Sequence, residues 1–310
     1  MKSQLLILDF GSQYTQLIAR TVRELGVYCE IVPGNQSAEK ILAREPKALI
    51  LSGGPASVRE EGSPRVERAV LQAGIPVFAI CYGMQLLADE LGGSVHAWSV
   101  SEDRDSASRE YGPALACIHE PVGPFSCFQK SEEIAVWMSH GDKVGNLPDG
   151  FEVVASSPGA PVAAFANSEL RMYGVQFHPE VHHTPRGKEI LSHFLFQTAG
   201  VVKDWDASGF IRETVHGIAS KVPAGNVVCG LSGGVDSTVA AVLVHQAIGD
   251  RLHCIFVDNG LLRAGEAEQV MTMMQELGLN VKCVDASHEF LSELAGVTDP
   301  EQKRKIIGRV

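Results

Sequence analysis

A cysteine at a strand-to-helix junction is the residue of this chain whose type and setting point most directly to chemistry. Cys81 follows the apolar run Pro76–Ile80 and precedes the helical pattern Met84–Leu91. A thiol on such a turn points away from the sheet, and the helix N-terminus favours its thiolate form. The setting predicts a cysteine nucleophile, although a buried structural cysteine is the commoner outcome for this residue type.

A histidine and a carboxylate about a hundred residues later would complete such a site. His178 and Glu180 follow the strand-like run Met172–Phe177. Side chains two residues apart on extended backbone lie on the same side. The histidine would then activate the thiol as a base, and the carboxylate would orient its ring. The alternatives are a structural histidine or a metal cluster with His182 and His183, although no further ligand completes a zinc spacing.

A glycine-rich turn is the third candidate component. Gly53-Gly54-Pro55 follows the apolar run Ala48–Leu51. Because parallel strands place their carboxyl ends at one edge of a sheet, this turn is expected near Cys81. Backbone N–H groups there could stabilise a tetrahedral oxyanion. On its own, the tripeptide indicates only a turn.

A second glycine-rich loop lies between the apolar run Val227–Leu231 and an alanine-rich helical pattern that ends at Ile248. Its glycines let the backbone wrap around an anion, its hydroxyls add donors, and the helix N-terminus adds positive potential. It is not a Walker A loop, since Gly-Lys-Ser/Thr is absent. The alternative is an ordinary strand–helix turn. The predicted phosphate loop comprises Ser232, Gly233, Gly234, Val235, Asp236 and Ser237.

Composition limits the classes of protein to which the chain can belong. Its 310 residues favour two domains, and 45% hydrophobic with 20% charged residues allows sizeable cores. A net charge of −11 argues against nucleic-acid or anionic-membrane partners. Seven cysteines without a C-x-x-C pair fit a reduced, cytoplasmic protein rather than a zinc cluster or a disulfide framework. We find no signal peptide and no apolar run long enough to span a bilayer.

Alternating strand and helix patterns predict an α/β protein with a doubly wound, mostly parallel sheet. Residues from about 95 to 175 are expected to extend this sheet with antiparallel strands, and the polar stretch Ser101–Glu110 is expected to be a surface loop. A second β–α rhythm begins at residue 226. The predicted domains are 1–200, a junction with a helix at 201–225, and 226–310. The main predicted helices are Tyr14–Leu25, Pro64–Gln72, Gly187–Thr198, Ser208–Ser220 and Ala264–Leu277.

Residues 1 to about 198 resemble a class I (triad) glutamine amidotransferase domain. The resemblance implies that Cys81 is the nucleophile, His178 the base and Glu180 the orienting acid. A departure is Ala79, where the family commonly has glycine, and we expect this small change to be tolerated. The resemblance also implies an oxyanion site and a glutamine pocket made of Gly53, Tyr82, Gln85, Ser139, His140, Gly141 and Asp142.

The second loop resembles the pyrophosphate loop of N-type ATP pyrophosphatases, whose fold is like that of the adenine nucleotide α-hydrolases. The resemblance implies that Asp236 helps to position Mg²⁺ with ATP and that Val257 borders the adenosine. The domain would be incomplete, because the chain stops within the helix-like segment 301–310.

The order of the two domains resembles the family of glutamine-hydrolysing GMP synthases. The matching strings are Leu8–Tyr14, Gly174–Val181, Leu231–Ser237 and Phe256–Arg263. Membership would imply that glutamine supplies ammonia, that ATP adenylylates xanthosine monophosphate (XMP), and that ammonia displaces AMP to give GMP. It would also imply that nucleotides accelerate glutamine hydrolysis and that full-length members form homodimers through a C-terminal domain that this chain lacks. The alternatives are a non-catalytic relative and a glutaminase that serves a separate partner subunit.

Overall fold

The computed structural model describes residues 4–97 and 110–310. The chain forms two compact units, Met1–Asp206 and Ala207–Val310, which are described separately. The predicted domain boundaries at residues 200 and 225 bracket this division. The surface loop predicted at Ser101–Glu110 lies outside the described residues, except that Glu110 begins a strand.

In its described part, the first unit is built on β-strands, most of which form one sheet with a parallel half and an antiparallel half. These strands are β1 (Leu5–Asp9), β2 (Cys29–Pro33), β3 (Ala48–Leu51), β4 (Val77–Ile80), β5 (Val95–Ala97), β6 (Glu110–Ile118), β7 (Glu133–His140), β8 (Asp142–Val144), β9 (Glu152–Ser156), β10 (Ala164–Asn167) and β11 (Met172–Val175). Its helices are α1 (Thr15–Glu24), α2 (Ala38–Leu42), α3 (Arg68–Leu71), α4 (Tyr82–Glu90) and α5 (Gly187–His193), the last of which continues as a π-helical turn over Phe194–Thr198.

Nine of these strands form one sheet in the order β2-β1-β3-β4-β11-β10-β9-β6-β7. The five strands from β2 to β11 are parallel, and the remaining neighbours pair antiparallel. This confirms the predicted α/β class and the antiparallel extension. The carboxyl ends of β1, β3, β4 and β11 meet at one edge, which is where ligands bind in open α/β sheets.

Helices cover both faces of the parallel half, as the doubly wound prediction requires. Successive residues of β1 enter different cores: Leu5 and Ile7 pack into the core that includes α1 and α5, whereas Leu6 and Leu8 pack into the core that includes α2, α3 and α4. Because both faces are buried, the strands read as continuous apolar runs rather than alternating ones. The sheet edge is therefore held rigidly from two sides.

The helix predicted at Pro64–Gln72 is shorter than expected, because only Arg68–Leu71 is helical. Tertiary contacts hold the residues before it in another conformation. The Arg65 guanidinium donates to the carbonyl of Val58 and pairs with acidic residues of α4, and a carboxylate oxygen of Glu67 accepts the backbone N–H of α2's first residue. These long-range partners outweigh the local helical pattern.

The second unit repeats the strand–helix alternation on a smaller scale. Its elements are α6 (Ala207–Lys221), β12 (Val227–Leu231), α7 (Val235–Ile248), β13 (Leu252–Asp258), α8 (Glu266–Glu276), β14 (Val281–Asp285), α9 (Ser287–Leu294) and α10 (Pro300–Arg309). The strands form a parallel sheet in the order β12-β13-β14. In the part of the chain that the structure describes, no helix combines the length and apolar character needed to cross a membrane.

Candidate active site and phosphate loop

Cys81 occupies a strained turn between β4 and α4. Its backbone has φ 50° and ψ −105°, a combination that L-residues rarely adopt. Its N–H donates to the carbonyl oxygen of Val175 at 2.7 Å, which ties the turn to β11. The side chain is buried, with 6% of the residue exposed. The geometry is that of a nucleophile held above the sheet edge at a helix N-terminus.

The turn depends on a close approach at Gly83. A Cβ atom at this position would lie 2.6 Å from the carbonyl oxygen and 2.7 Å from the Cβ of Leu51, and the Gly83 N–H donates to the Ser52 carbonyl at 3.1 Å. Only glycine therefore lets α4 begin against β3.

We expect Gly83→Ala to lower the free energy of unfolding of the first unit by about 2 kcal/mol, because the added methyl group must displace backbone. Chemical denaturation followed by circular dichroism measures the effect. Gly217→Ala in α6 is the control: no described atom lies within 4 Å of its added Cβ, and a helical Gly→Ala change should not destabilise. An unchanged denaturation midpoint for Gly83→Ala would contradict the close approach.

His178 is held beside the thiol by backbone and side-chain contacts. Its N–H donates to the Trp137 carbonyl at 3.0 Å, and its ring Nδ1 lies 2.7 Å from Oε1 of Glu180. Both side chains are almost fully buried. The Tyr14 ring lies edge-on to the imidazole, with 5.1 Å between the two ring centroids. Cys81 and His178 line the same cavity and both approach Gly53, so the three sequence-predicted residues come together at one edge of the sheet.

The electrostatics of this trio favour a protonated histidine. Burial acts to lower the pKa of His178, but the neighbouring Cys81 and Glu180, which both favour the charged form of the ring, outweigh burial and raise the pKa to about 10. The imidazole is therefore positively charged at neutral pH in the glutamine-free protein. Such a charge can hold a neighbouring sulfur as thiolate and can later deliver a proton to a leaving group.

The metal alternative is not supported by the described residues. The His182 and His183 rings pack against each other at a tilt of 41°, and the His183 ring also stacks on Trp137 with 4.2 Å between ring centroids. Nowhere in residues 4–97 and 110–310 do three His, Cys, Asp or Glu side chains gather in a way that could hold a metal ion.

Thr184 was missed by sequence reasoning, yet it fixes the position of the histidine. Its buried hydroxyl donates to the His178 carbonyl at 2.7 Å and accepts the Trp137 N–H at 3.1 Å. Thr184 therefore connects the segment that carries His178 to β7 through two hydrogen bonds. A threonine six residues after a candidate base carries no sequence signal of this role, because the contact depends on the loop that folds back between them.

The two predicted oxyanion residues lie next to the thiol. A Cβ at Gly53 would sit 3.8 Å from the Cβ of Cys81 and 3.3 Å from Cε1 of His178. Tyr82 is the first residue of α4, where a backbone N–H has no carbonyl partner within its own helix. The N–H of the next residue, Gly83, already donates to the carbonyl of Ser52, which follows β3. Gly53 and Tyr82 are thus placed where donors to an oxyanion are needed.

A polar pocket of about 460 Å³ opens on the thiol. Glu60 and Asp142 both contribute carboxylates to its lining, and the carboxylate of Asp142 accepts from the Ser57 hydroxyl and lies 4.0 Å from the Arg59 guanidinium. The backbone carbonyl of Asp142 accepts from Nδ1 of His140 at 2.9 Å. Apart from Gly53, every residue predicted for the glutamine pocket lines it, namely Tyr82, Gln85, Ser139, His140, Gly141 and Asp142.

The side chain of Gln85 takes part in a buried chain of hydrogen bonds that the sequence did not predict. Its Nε2 donates to the Asp142 carbonyl at 2.9 Å and to Oε1 of Gln176 at 3.3 Å. Gln176 in turn donates from Nε2 to Sγ of Cys81 at 3.6 Å. The sequence signal that could have identified Gln176 is its polar amide, which lies at the end of an otherwise apolar strand and two residues before the candidate base.

The phosphate loop of the second unit forms the predicted strand–turn–helix. Gly233 has φ +77°, and a Cβ there would meet Val270 at 2.9 Å, so this position requires glycine. The hydroxyls of Ser232 and Ser237 lie 3.0 Å apart, and the Gly234 N–H donates to the Ser232 hydroxyl at 3.3 Å. These bonds give the loop a defined shape at the N-terminus of α7, as an anion site requires.

The other predicted nucleotide residues flank this loop without forming a metal cluster. Asp236 lies exposed in the first turn of α7, and Val257 lies 39% exposed near the end of β13. Because β12 and β13 pair in parallel, both strands end at the same edge. A single carboxylate beside hydroxyls fits a Mg²⁺ ion that is carried by nucleotide phosphates, the usual arrangement for this ion.

Curated relatives match along nearly the whole chain. The glutamine-hydrolysing GMP synthase of Maridesulfovibrio salexigens is 50% identical over 99% of this chain, and that of Mycolicibacterium paratuberculosis is 52% identical over 98%. The chain spans 58% and 56% of the lengths of these two relatives.

Solved structures match the first unit. A protein of Thermoplasma acidophilum, proposed to be one of the subunits of a GMP synthase, shares 28% identity with a TM-score of 0.54, covering 69% of this chain and 98% of its own. A glutamine amidotransferase of Thermotoga maritima, 19% identical with a TM-score of 0.50, covers 64% of this chain and 99% of its own and shares the fold.

Two family models divide the chain at nearly the same point as the structure. The model for NAD synthase matches residues 206–304. The model for class-I glutamine amidotransferases matches residues 6–198, more than half of the chain. With the thiol, the imidazole and the carboxylate assembled at the sheet edge, this match shows that the chain belongs to the class-I glutamine amidotransferase family.

Proposed function

We propose that the first unit hydrolyses the side-chain amide of glutamine, with Cys81 as nucleophile, His178 as acid and base, and Glu180 as the residue that orients the imidazole. The observation that carries this proposal is the buried His178–Glu180 pair at the sheet edge beside Cys81, in which the neighbouring groups raise the pKa of the imidazole to about 10. A positively charged histidine that can stabilise a neighbouring thiolate is the arrangement that cysteine hydrolases use.

In the proposed reaction, the Cys81 sulfur attacks the amide carbon and its electrons move onto the carbonyl oxygen. The N–H groups of Gly53 and Tyr82 stabilise that oxyanion. The His178 imidazolium gives its proton to the amide nitrogen, ammonia leaves, and a thioester remains. Water then gives a proton to His178 and attacks the thioester, which releases glutamate and restores the thiolate.

The pocket beside the thiol supports glutamine as the substrate. Its dimensions suit a small polar molecule, and the Asp142 carboxylate can accept hydrogen bonds from an α-ammonium group. Arg59, which is half-exposed and whose guanidinium lies 4.0 Å from the Asp142 carboxylate, can attract an α-carboxylate. We propose that these charges hold the α-amino and α-carboxylate groups of a free amino acid. The side-chain amide of the same glutamine molecule then reaches the Cys81 sulfur.

For the second unit we propose ATP binding at Ser232–Ser237, with Val257 beside the adenosine. The backbone N–H groups and hydroxyls of the loop would hold phosphates at the N-terminus of α7. When bound with ATP, Mg²⁺ would neutralise phosphate charge, and Asp236 would be its protein ligand.

For the whole protein we propose GMP synthesis from XMP, ATP and glutamine, with a homodimer as the assembly. The GMP synthases that match nearly every residue of this chain support the activity. A cytoplasmic location agrees with seven free cysteines. A second candidate is a glutaminase that supplies ammonia to another subunit, which the match to almost the full length of the Thermoplasma protein favours.

The test is glutamate release from glutamine, measured with and without ATP, Mg²⁺ and XMP while GMP is monitored. Under the synthase proposal, nucleotides accelerate glutamate release and GMP accumulates, because hydrolysis is coupled to the use of ammonia. Glutamate release that nucleotides do not change, without GMP, would support the glutaminase subunit instead. An absence of glutamate under all conditions would overturn both proposals.

A further inference from the structure

We propose that Gln176 is a further catalytic residue of the glutaminase site, whose side-chain amide donates a hydrogen bond to Sγ of Cys81 and holds the sulfur as a nucleophile. The inference rests on the proposed glutamine hydrolysis and adds an amide hydrogen-bond donor to the sulfur.

The sheet places this amide beside the thiol. Gln176 and Cys81 are the residues that follow the ends of β11 and β4, and these strands pair in parallel with Val175 opposite Ile80. The residue is fully buried, and its Nε2 lies 3.6 Å from the sulfur, a hydrogen-bonding distance for sulfur. A fully buried amide needs partners, and here the reacting atom is one of them.

The amide has one orientation because its neighbour is fixed. Nε2 of Gln85 donates to the Asp142 carbonyl, which can only accept, so the other donor of Gln85 meets Oε1 of Gln176. A flipped Gln176 would set two NH₂ groups against each other. The nitrogen of Gln176 must therefore face the sulfur, and a chain of hydrogen bonds connects the pocket wall at Asp142 to the nucleophile.

The donor matters because of what else surrounds the sulfur. The carbonyl oxygen of Ser139, 3.6 Å from Sγ, can accept a hydrogen bond from a thiol but has no donor to offer a thiolate. When the proton is on the ring of His178, the N–H of Gln176 remains as a neutral donor to the negative sulfur. The same donor stabilises the sulfur again when the thioester breaks down.

The experiment compares Gln176→Leu and Gln176→Glu in the full chain. The leucine variant removes the donor, and we expect kcat for glutamate release to fall about tenfold to a hundredfold with KM changed less than about twofold. We expect alkylation of Cys81 by iodoacetamide at pH 7, followed by mass spectrometry of its peptide, to slow about tenfold.

The glutamate variant keeps the shape and the acceptor for Gln85, but it donates only when protonated. We expect its activity, relative to the unmodified protein, to fall as pH rises, by up to about tenfold per pH unit above the pKa of the new carboxyl. Gln72→Leu and Gln72→Glu, on the exposed end of α3, are matched controls that should leave all readouts unchanged.

Unchanged kcat and alkylation in the leucine variant would overturn the proposal. The proposal would also be overturned if the leucine variant changed only KM. It would be overturned likewise if the relative activity of the glutamate variant were constant with pH, since packing alone would then explain either effect. If the unmodified protein releases no glutamate, glutamine hydrolysis itself fails, whereas the alkylation rates still test the hydrogen bond between Gln176 and Cys81.

Discussion

Replacement of Cys81 by alanine is expected to abolish glutamate release from glutamine, with a loss of at least roughly 10⁴-fold. The reason is that the sulfur forms the covalent intermediate in the proposed reaction, and Cys81 is the cysteine that shares a cavity with His178 among the described residues. ATP binding should persist, because the phosphate loop belongs to the second unit.

Glutamate release and ATP binding are measured on the same preparation of the variant. Cys283→Ala is the matched control, since this cysteine is exposed and lies in the second unit. It should retain full activity. Residual hydrolysis by Cys81→Ala above about a hundredth of the original rate would mean that the thiol is not the nucleophile.

Glu180→Gln is expected to reduce glutamate release roughly 10³-fold while the fold is retained. Glutamine keeps the size of the side chain, but it removes the negative charge that, with Cys81, raises the pKa of His178. The imidazole then loses its fixed orientation and its proton, both of which the reaction needs. The loss should lie in kcat, because Glu180 is behind the histidine and does not line the pocket of about 460 Å³.

The same substitution should change the pH dependence of stability in a defined direction. A folded-state pKa raised to about 10 means that the His178 contribution to stability is complete below the unfolded pKa of about 6.5. It is lost progressively as pH rises through about 10. The difference in unfolding free energy between the unmodified protein and Glu180→Gln should therefore be largest near pH 6 and shrink toward pH 10.

Urea denaturation at several pH values measures this difference, and NMR of the His178 ring measures its titration directly. In the unmodified protein the ring should not titrate between pH 5 and 8, whereas in Glu180→Gln its midpoint should move down toward neutral pH. A stability difference that grows with pH, or an unmodified ring that titrates near pH 6.5, would refute the charged-histidine interpretation.

Much of the fold could be predicted because local patterns agree with it. The strands Ala48–Leu51 and Val227–Leu231 have the predicted bounds, since short apolar runs between turn residues leave little freedom. The helices Ala38–Leu42 and Ser287–Leu294 were missed because both are short: the first is about a turn and a half long, and the second has only eight residues. The helix at 64–72 was overestimated because tertiary partners of Arg65 and Glu67 override its local preference.

The strand–turn–helix settings of Cys81 and of Ser232–Ser237 follow from adjacent residues, because tight turns, glycines and helix starts have local sequence signals. The hydrogen bond from Gln176 to Cys81, 95 positions away, has no such signal, because the pairing of β4 with β11 sets that distance. The charge on His178 likewise depends on burial and on two partners that the folded sheet edge brings together. Contacts between distant residues arise from packing, so local patterns indicate which residues can react and the folded sheet determines their partners.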